Sequence, residues 1–166
     1  MSDYDAIRAE LVALCKVPVT LGLAVPEDEQ LPRRSSKEGA PITLRYKVTC
    51  TVGAYTTEYH FPAEGTQHYS YFHPRAIHVS LDGDWRGLPK GAKRPAPSVS
   101  DVLWACLMDA SLGSCVTFEE FCGEIGADTD SRRAEAQYRV CQSAFAAMRR
   151  AFGADYDKAV ELAHQL

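Results

Sequence analysis

Residues 117–152, TFEEFCGEIGADTDSRRAEAQYRVCQSAFAAMRRAF, decide the fold of this chain. Thr117 and Glu120 have the spacing of a capping box, in which a hydroxyl and a carboxylate bind amides at the start of a helix. Gly126 then offers the left-handed conformation that ends such a helix. The residues at 128–131 carry the Asp, Thr and Ser side chains that cap a second helix. The stretch therefore predicts a short helix, an acidic turn and a long helix.

The long helix carries one continuous apolar seam. Its members recur at alternating steps of four and three residues, which places them on one face. They are Ala134, Tyr138, Cys141, Phe145, Met148 and Phe152. Arg149 and Arg150 stand in the last turn, where the negative end of the helix dipole favours cations, and Gly153 follows as a stop. We therefore expect an amphipathic helix from the acidic turn to Gly153.

The front half of the chain predicts a helix and a small antiparallel sheet. Apolar residues at helical spacing indicate a helix over residues 4–16, which Pro18 ends. Five later segments have the runs of branched, aromatic or alternating side chains that are typical of strands. They are residues 17–25, 42–52, 55–61, 67–73 and 76–81. A Gly53-Ala54 turn joins two of them as an antiparallel hairpin.

A basic Gly/Pro linker, DGDWRGLPKGAKRPAP at residues 82–97, separates this part from a helical part. The helix that opens at Ser98 is apolar almost all round, which is typical of a central buried helix. A last short helix is expected over residues 155–164. We predict an α+β fold with an N-terminal helix, a small antiparallel sheet and a C-terminal cluster of three to four helices. Residues 1–81 hold the helix and sheet part, residues 98–166 the helical part, and the two form a single domain over 1–166.

Composition fits a globular protein and gives little direction about partners. The 166 residues are 46% apolar and 24% charged, which is ordinary, and the formal net charge of −4 gives no broad attraction to nucleic acid. The acidic start MSDYDAIRAELV lacks the basic and apolar regions of a signal peptide, and no apolar run is long enough to span a bilayer. We therefore expect a cytosolic protein with no membrane partner.

No sequence motif for phosphate binding, dinucleotide binding, nucleophilic catalysis or zinc-protease chemistry occurs. Asp128 and Asp130 have the spacing of the first calcium ligands, but Arg132 takes the third ligand position, which excludes a calcium loop. The six cysteines form no C-x-x-C pair and are interpreted as buried reduced thiols. We predict a protein that is not an enzyme and has no catalytic residue, no metal and no cofactor.

The cysteines and histidines leave one catalytic alternative open. Cys115 is the only cysteine outside an expected helix or strand, and His60, His68 or His73 could act as its base. The histidines of that segment match no zinc spacing. They are His60, His68, His73 and His78. We interpret the segment as aromatic packing between strands, with an aromatic contact surface as the alternative.

Two segments of the helical part, SVSDVLWACLMDAS at residues 98–111 and TFEEFCGEIGADTDSRRAEAQYRVC at residues 117–141, resemble a recurring pattern in small uncharacterised proteins of tailed bacteriophages and prophages. The resemblance covers residues 98–153, about a third of the chain. That family has no assigned catalytic residues. The resemblance therefore implies a context, an accessory phage gene product acting inside a bacterial cell. Accessory phage proteins of this size are often inhibitors of host defence, anti-CRISPR proteins among them.

The acidic residues between positions 119 and 130 outnumber those that helix capping needs. There are five, with no basic residue among them: Glu119, Glu120, Glu124, Asp128 and Asp130. Such a surplus predicts a negative surface for a basic, nucleic-acid-handling partner. With the resemblance, it predicts a phage protein that binds a host protein complex in the bacterial cytoplasm, most concretely an anti-CRISPR-type inhibitor of defence. The aromatic sheet face is the other surface that could block the partner.

Basic residues suggest an alternative function of a different class. Cations beside a tryptophan in the linker, and two outward cations of the strand at 42–52, suit the backbone and bases of a nucleic acid. They are Arg45, Lys47, Trp85, Arg86, Lys90, Lys93 and Arg94. The alternative hypothesis is therefore a nucleic-acid-binding phage accessory protein. A solvated connector whose charges keep it soluble is the simpler interpretation of the linker.

Overall fold

A computed structural model describes residues 3–24, 30–31, 42–62 and 97–166. The chain divides into two compact units. One contains Met1–Val19, Val52–Tyr55 and Val99–Leu166, and the other contains Thr20–Thr51 and Thr56–Ser98. The predicted α+β class is confirmed, because an N-terminal helix, an antiparallel sheet and a group of C-terminal helices are all present. The prediction of a single domain over residues 1–166 stays a prediction.

The sheet has four strands among the described residues, and the longest strand, β3, pairs with the other three. The strands are β1 (Val19–Ala24), β2 (Gln30–Leu31), β3 (Ile42–Val52) and β4 (Tyr55–Pro62). β2 runs antiparallel to β3, with Leu31 opposite Ile42. On β3 the buried Val48, Cys50 and Val52 alternate with more exposed neighbours, as the sequence predicts for a half-buried strand. The predicted strands at 67–73 and 76–81 lie outside the described residues.

Gly53 makes the turn between β3 and β4 possible. Its φ of 60° lies in the left-handed region that glycine adopts without a side-chain clash. Its amide donates to the carbonyl of Pro18 at 2.9 Å. The predicted Gly53-Ala54 hairpin turn is therefore confirmed, and it is held by the segment that follows the first helix.

Five α-helices occur among the described residues. They are α1 (Asp3–Leu14), α2 (Val99–Gly113), α3 (Phe118–Ile125), α4 (Arg132–Phe152) and α5 (Tyr156–His164). A single 3-10 turn, Gly153–Asp155, joins the last two. The C-terminal cluster thus has four helices, the upper end of the predicted range.

Helix α2 is the centre of the helical unit, as its all-round apolar sequence predicts. It packs against α1, α3, α4 and α5. Four of its larger side chains are completely buried: Val102, Leu103, Cys106 and Leu107. Trp104 is half-buried, and its Nε1 donates to the carbonyl of Ala163 at 3.0 Å, which satisfies the indole as it leaves the core.

Helices α2 and α4 approach so closely that one glycine is required. A Cβ at Gly113 would overlap the carbonyl group of Cys141 and lie 2.7 Å from the amide nitrogen of Gln142. The predicted seam of α4 is buried except for the half-buried Phe145. A second row of small side chains, which the apolar pattern did not predict, is buried beside it: Ala144, Ala147 and Ala151. Small residues allow the two backbones to come together.

Helix α1 is attached to the helical unit by one fully buried leucine and by polar contacts. Leu11 is its buried residue, whereas Tyr4, expected on the inner face, is 46% exposed. The helix ends two residues earlier than predicted, and the amide of Lys16 donates to Ala151 at 2.7 Å. An ion pair of 2.6 Å between Lys158 and Glu10 ties α5 to α1. Because both side chains are largely exposed, this pair stabilises the unit only slightly.

Candidate protein-binding surface at helix α3

The ends of α3 are fixed by the residues that the sequence indicates. The hydroxyl of Thr117 accepts the amide of Glu120 at 3.2 Å, as expected for a capping box. The carboxylate of Glu120, however, accepts the amide of Val116 at 3.0 Å instead of the expected Thr117 amide. Gly126 ends the helix with a φ of 68° and donates to Cys122. The first turn and the last turn of α3 are therefore both anchored.

The turn into α4 is held without the side chains of its aspartates. Ser131 is the N-cap, and its hydroxyl accepts the amide of Ala134 at 3.1 Å. The backbone carbonyl of Asp128 accepts the amide of Ser131 at 3.1 Å and the thiol of Cys122 at 3.7 Å. Neither Asp128 nor Asp130 caps the helix with its carboxylate, although the sequence makes both candidates. Both carboxylates remain directed outward from a fixed backbone.

An aromatic cluster holds α3 against α4. Phe121 is fully buried, and its ring centroid lies 4.9 Å from that of Tyr138 and 6.3 Å from that of Phe118. The hydroxyl of Tyr138 donates to the carbonyl of Cys115 at 2.6 Å, which also fixes the loop before α3. Rings at these distances add to the burial of apolar area. The acidic segment therefore rests on a rigid apolar base.

All five acids predicted for partner binding are exposed. Glu119, Glu120 and Glu124 share the outer arc of α3, opposite the buried Phe121 and Cys122. The aspartates of the group follow in the turn. None of the five forms an ion pair with a residue that the structure describes, and among their carboxylates only that of Glu120 accepts a hydrogen bond from a described residue. We call these five residues, Glu119, Glu120, Glu124, Asp128 and Asp130, the acidic surface.

The acidic surface changes the chemistry of the nearby thiol. Burial, and then the carboxylates of Glu124 and Glu120, raise the pKa of Cys115. A cysteine nucleophile needs the opposite shift, toward the thiolate. The side chains of His60, His68 and His73, the histidines considered as its base, lie outside the described residues. Cys115 instead works in the structure through its carbonyl, which anchors Tyr138.

We expect the free energy of unfolding to fall as the pH rises above about 9. Burial raises the pKa of Cys115 and Cys122 above 9.0, and burial raises that of Tyr156 above 10.0. As the pH rises, these groups lose their protons in the unfolded chain before they lose them in the folded protein. Their contribution to the free energy of unfolding is therefore complete below the pKa values of the unfolded chain, and it is lost as the pH rises through the pKa values of the folded protein.

Urea unfolding at about pH 8 and about pH 11 measures the effect. The midpoint should fall at the higher pH, and the fall should be smaller for Cys115→Ala than for the unchanged protein. An identical midpoint at both pH values would contradict the expectation.

Val116 is a functional candidate that the sequence analysis did not identify. It is 86% exposed, the most exposed large hydrophobic residue among those described, and its amide is bound by Glu120. The apolar side chain therefore stands at the edge of the acidic surface. Its one sequence signal is its place in a short loop between two helices, where a polar residue is more usual. An exposed valine beside carboxylates is suited to a protein partner, which supplies both apolar and basic groups.

The remaining sequence predictions fall where the structure gives no test. Arg45 and Lys47 lie on β3, but their side chains are outside the described residues. The linker residues of the nucleic-acid hypothesis also lie outside them: Trp85, Arg86, Lys90, Lys93 and Arg94. Among the described residues, no group of three or more His, Cys, Asp or Glu is arranged to hold a metal ion. The hypothesis of nucleic-acid binding by the linker therefore stays a prediction.

In comparisons with protein-family models, curated proteins and solved structures, the chain matches none of them significantly. None of the helices in the described part of the chain has both the length and the hydropathy needed to cross a bilayer.

Proposed function

We propose that the protein binds a host protein complex through the acidic surface and Val116, as a phage accessory protein in the bacterial cytoplasm. The observation that carries the proposal is the display of five exposed carboxylates, unpaired with any described cation, on a segment anchored at both ends. Helix capping accounts for Glu120 alone. Glu119 also lies in the first turn of α3, where the helix dipole favours an acid, but the carboxylates of Glu119, Glu124, Asp128 and Asp130 form no hydrogen bond with a described residue.

Electrostatics indicates the class of partner. A concentrated negative surface steers a positive surface toward it and raises the association rate, and it repels partners of like charge. Positive protein surfaces of this extent are typical of proteins that hold nucleic acid. The exposed Val116 supplies an apolar contact that an ion or a nucleic acid would not use.

The most concrete form of the function is inhibition of bacterial defence. A CRISPR effector holds its guide and target in a positively charged channel. A rigid acidic surface placed against such a channel would occlude the nucleic acid without any chemical step. The resemblance of residues 98–153 to phage and prophage proteins supports this context, and the proposal needs no catalytic residue, metal or cofactor.

Charge reversal tests the proposal. The triple variant Glu119→Lys, Glu124→Lys, Asp128→Lys leaves Glu120 in place, because that residue binds the Val116 amide. We expect at least about a tenfold loss of partner recovery, since each change replaces an attraction with a repulsion. The measurement is a pull-down from bacterial lysate with quantitative mass spectrometry, followed by the association rate of the recovered complex.

A matched control reverses three exposed acids away from α3: Asp3→Lys, Asp157→Lys and Glu161→Lys. The control should recover a nucleic-acid-handling complex as well as the unchanged protein does. Equal recovery by the α3 variant would remove the acidic surface from the interface. Recovery of nucleic acid alone would favour the alternative function.

A further inference from the structure

Helix α4 carries a straight row of arginines on its exposed face. Arg132 and Arg150 are separated by five helical turns, and Arg139 lies between them at nearly the same angle around the axis. All three side chains are exposed. At 1.5 Å per residue, the steps along the row are about 10 Å and about 16 Å. We call these three residues the arginine row.

The charges of the row are weakly neutralised. Arg139 pairs with Glu135 at 2.7 Å, and both partners are mostly exposed. Arg132 and Arg150 form no ion pair with any residue that the structure describes. Besides Glu135 and two further arginines, Arg133 and Arg149, the other exposed positions between them hold small or neutral side chains: Ala136, Gln142, Ser143 and Ala146. Glu135 is thus the only acid on this face of α4.

Helix stability accounts for two members of the row, because Arg139 pairs with Glu135 one turn away and Arg150 lies in the last turn, where the helix dipole favours a cation. Arg132 occupies the first turn of α4, where the positive end of the helix dipole disfavours a cation. Arg149 provides a contrast, because it lies over the rings of Phe145 and Tyr156 at 5.8 and 5.4 Å and so contributes to packing. No such contact explains Arg132.

We propose that the arginine row binds the phosphate backbone of double-stranded DNA without reading its sequence. Guanidinium groups bind phosphate oxygens in a bidentate manner. The grooves of B-form DNA are about 6 and 12 Å wide, which places successive phosphate rows about 12 and 18 Å apart once the phosphates themselves are included. The steps of the arginine row match these two separations within the reach of an arginine side chain.

A rigid duplex suits this row better than a single strand does. Proteins that bind single strands stack the bases on aromatic side chains, and the outer arc of α4 between Arg132 and Arg150 carries none. A second copy of the chain, offering its acidic surface, is the competing occupant. Its five carboxylates follow a short helix and a turn, so they do not form a straight row.

The test uses the full-length protein and a fluorescein-labelled 20-base-pair DNA duplex, with binding measured by fluorescence anisotropy. Three phosphate contacts predict about a 40-fold loss of affinity between about 50 and 200 mM salt. The variant Arg132→Gln, Arg139→Gln, Arg150→Gln should bind at least about tenfold more weakly at the lower salt and lose most of the salt dependence.

A control with the same change of charge replaces three cations off the row: Lys16→Gln, Arg133→Gln and Lys158→Gln. It should bind like the unchanged protein. Equal weakening of both triple variants, or no salt-dependent binding by the unchanged protein, would overturn the proposal. Tighter binding of a single strand or of an RNA duplex of the same sequence would overturn the choice of DNA. Sedimentation that shows self-association, lost when the row is neutralised, would assign the row to a second copy.

Discussion

Gly113→Ala is expected to lower the free energy of unfolding by about 3 kcal/mol or more, because the added Cβ would overlap the backbone of α4. The overlap is with the carbonyl of Cys141 and the amide of Gln142, which belong to helical backbone and cannot rotate away. Relief requires α2 and α4 to move apart along their contact. That movement would loosen Ala110 and Ala144, which are both fully buried.

A second helical glycine provides the matched control. A Cβ at Gly123, on the outer arc of α3, would meet no atom within 4 Å. Gly123→Ala should therefore raise the free energy of unfolding by about 0.5 to 1 kcal/mol, through the better helix propensity of alanine. Urea unfolding of the two variants, each compared with the unchanged protein, measures both effects. Similar values for the two substitutions would show that the close approach of the helices does not determine stability.

The pair also shows why some features could be predicted from the sequence and others could not. The ends of α3 and the start of α4 depend on residues within a few positions of each other, such as Thr117, Gly126 and Ser131. Local patterns predict such ends. Gly113 and Cys141 lie on different helices, and nothing near Gly113 in the sequence identifies its neighbour. A glycine at the end of an apolar helix predicts a stop equally well.

Alanines explain the incomplete prediction of the core. The seam of α4 was found because large apolar residues recur on it, and the buried Tyr138 and Met148 confirm it. Ala144, Ala147 and Ala151 have no comparable signal, since alanine is common on every face of a helix. With these three alanines assigned to the buried side, fewer positions of α4 remain on its exposed face, and the arginines Arg132, Arg139 and Arg150 lie along it in a row.

In the candidate site too, the sequence predicts the features that depend on neighbouring residues and not those that depend on contacts between helices. The sequence predicts that the five acids are displayed, because three lie off the apolar positions of α3 and two lie in the turn after it, and all five are exposed. It does not predict that Glu120 would bind the Val116 amide or that Val116 would stand outside. Which amide a carboxylate reaches depends on the path of the loop. That path is set by the contact of Cys115 with Tyr138 on another helix.

Phe121→Ala is expected to lower the free energy of unfolding by about 3 to 5 kcal/mol, the usual range when a fully buried phenylalanine is changed to alanine. The ring is completely inaccessible and contacts the rings of Tyr138 and Phe118. It is the largest apolar side chain that α3 buries, so α3 would lose most of its attachment to α4. Phe121→Leu keeps most of the volume and should cost about 1 kcal/mol.

Phe121→Ala also tests whether partner binding depends on the rigid base under the acidic surface or on its charges alone. Phe121→Ala changes no charge, yet it loosens the helix that carries Glu119 and Glu124. If partner binding requires carboxylates held in a fixed arrangement, the affinity for the recovered complex should fall for Phe121→Ala and be kept by Phe121→Leu. Affinity should be measured well below the unfolding temperature of each variant, with the folded fraction checked by circular dichroism. Full binding by a folded Phe121→Ala protein would show that the charges act without the rigid base, as they do in a disordered acidic segment.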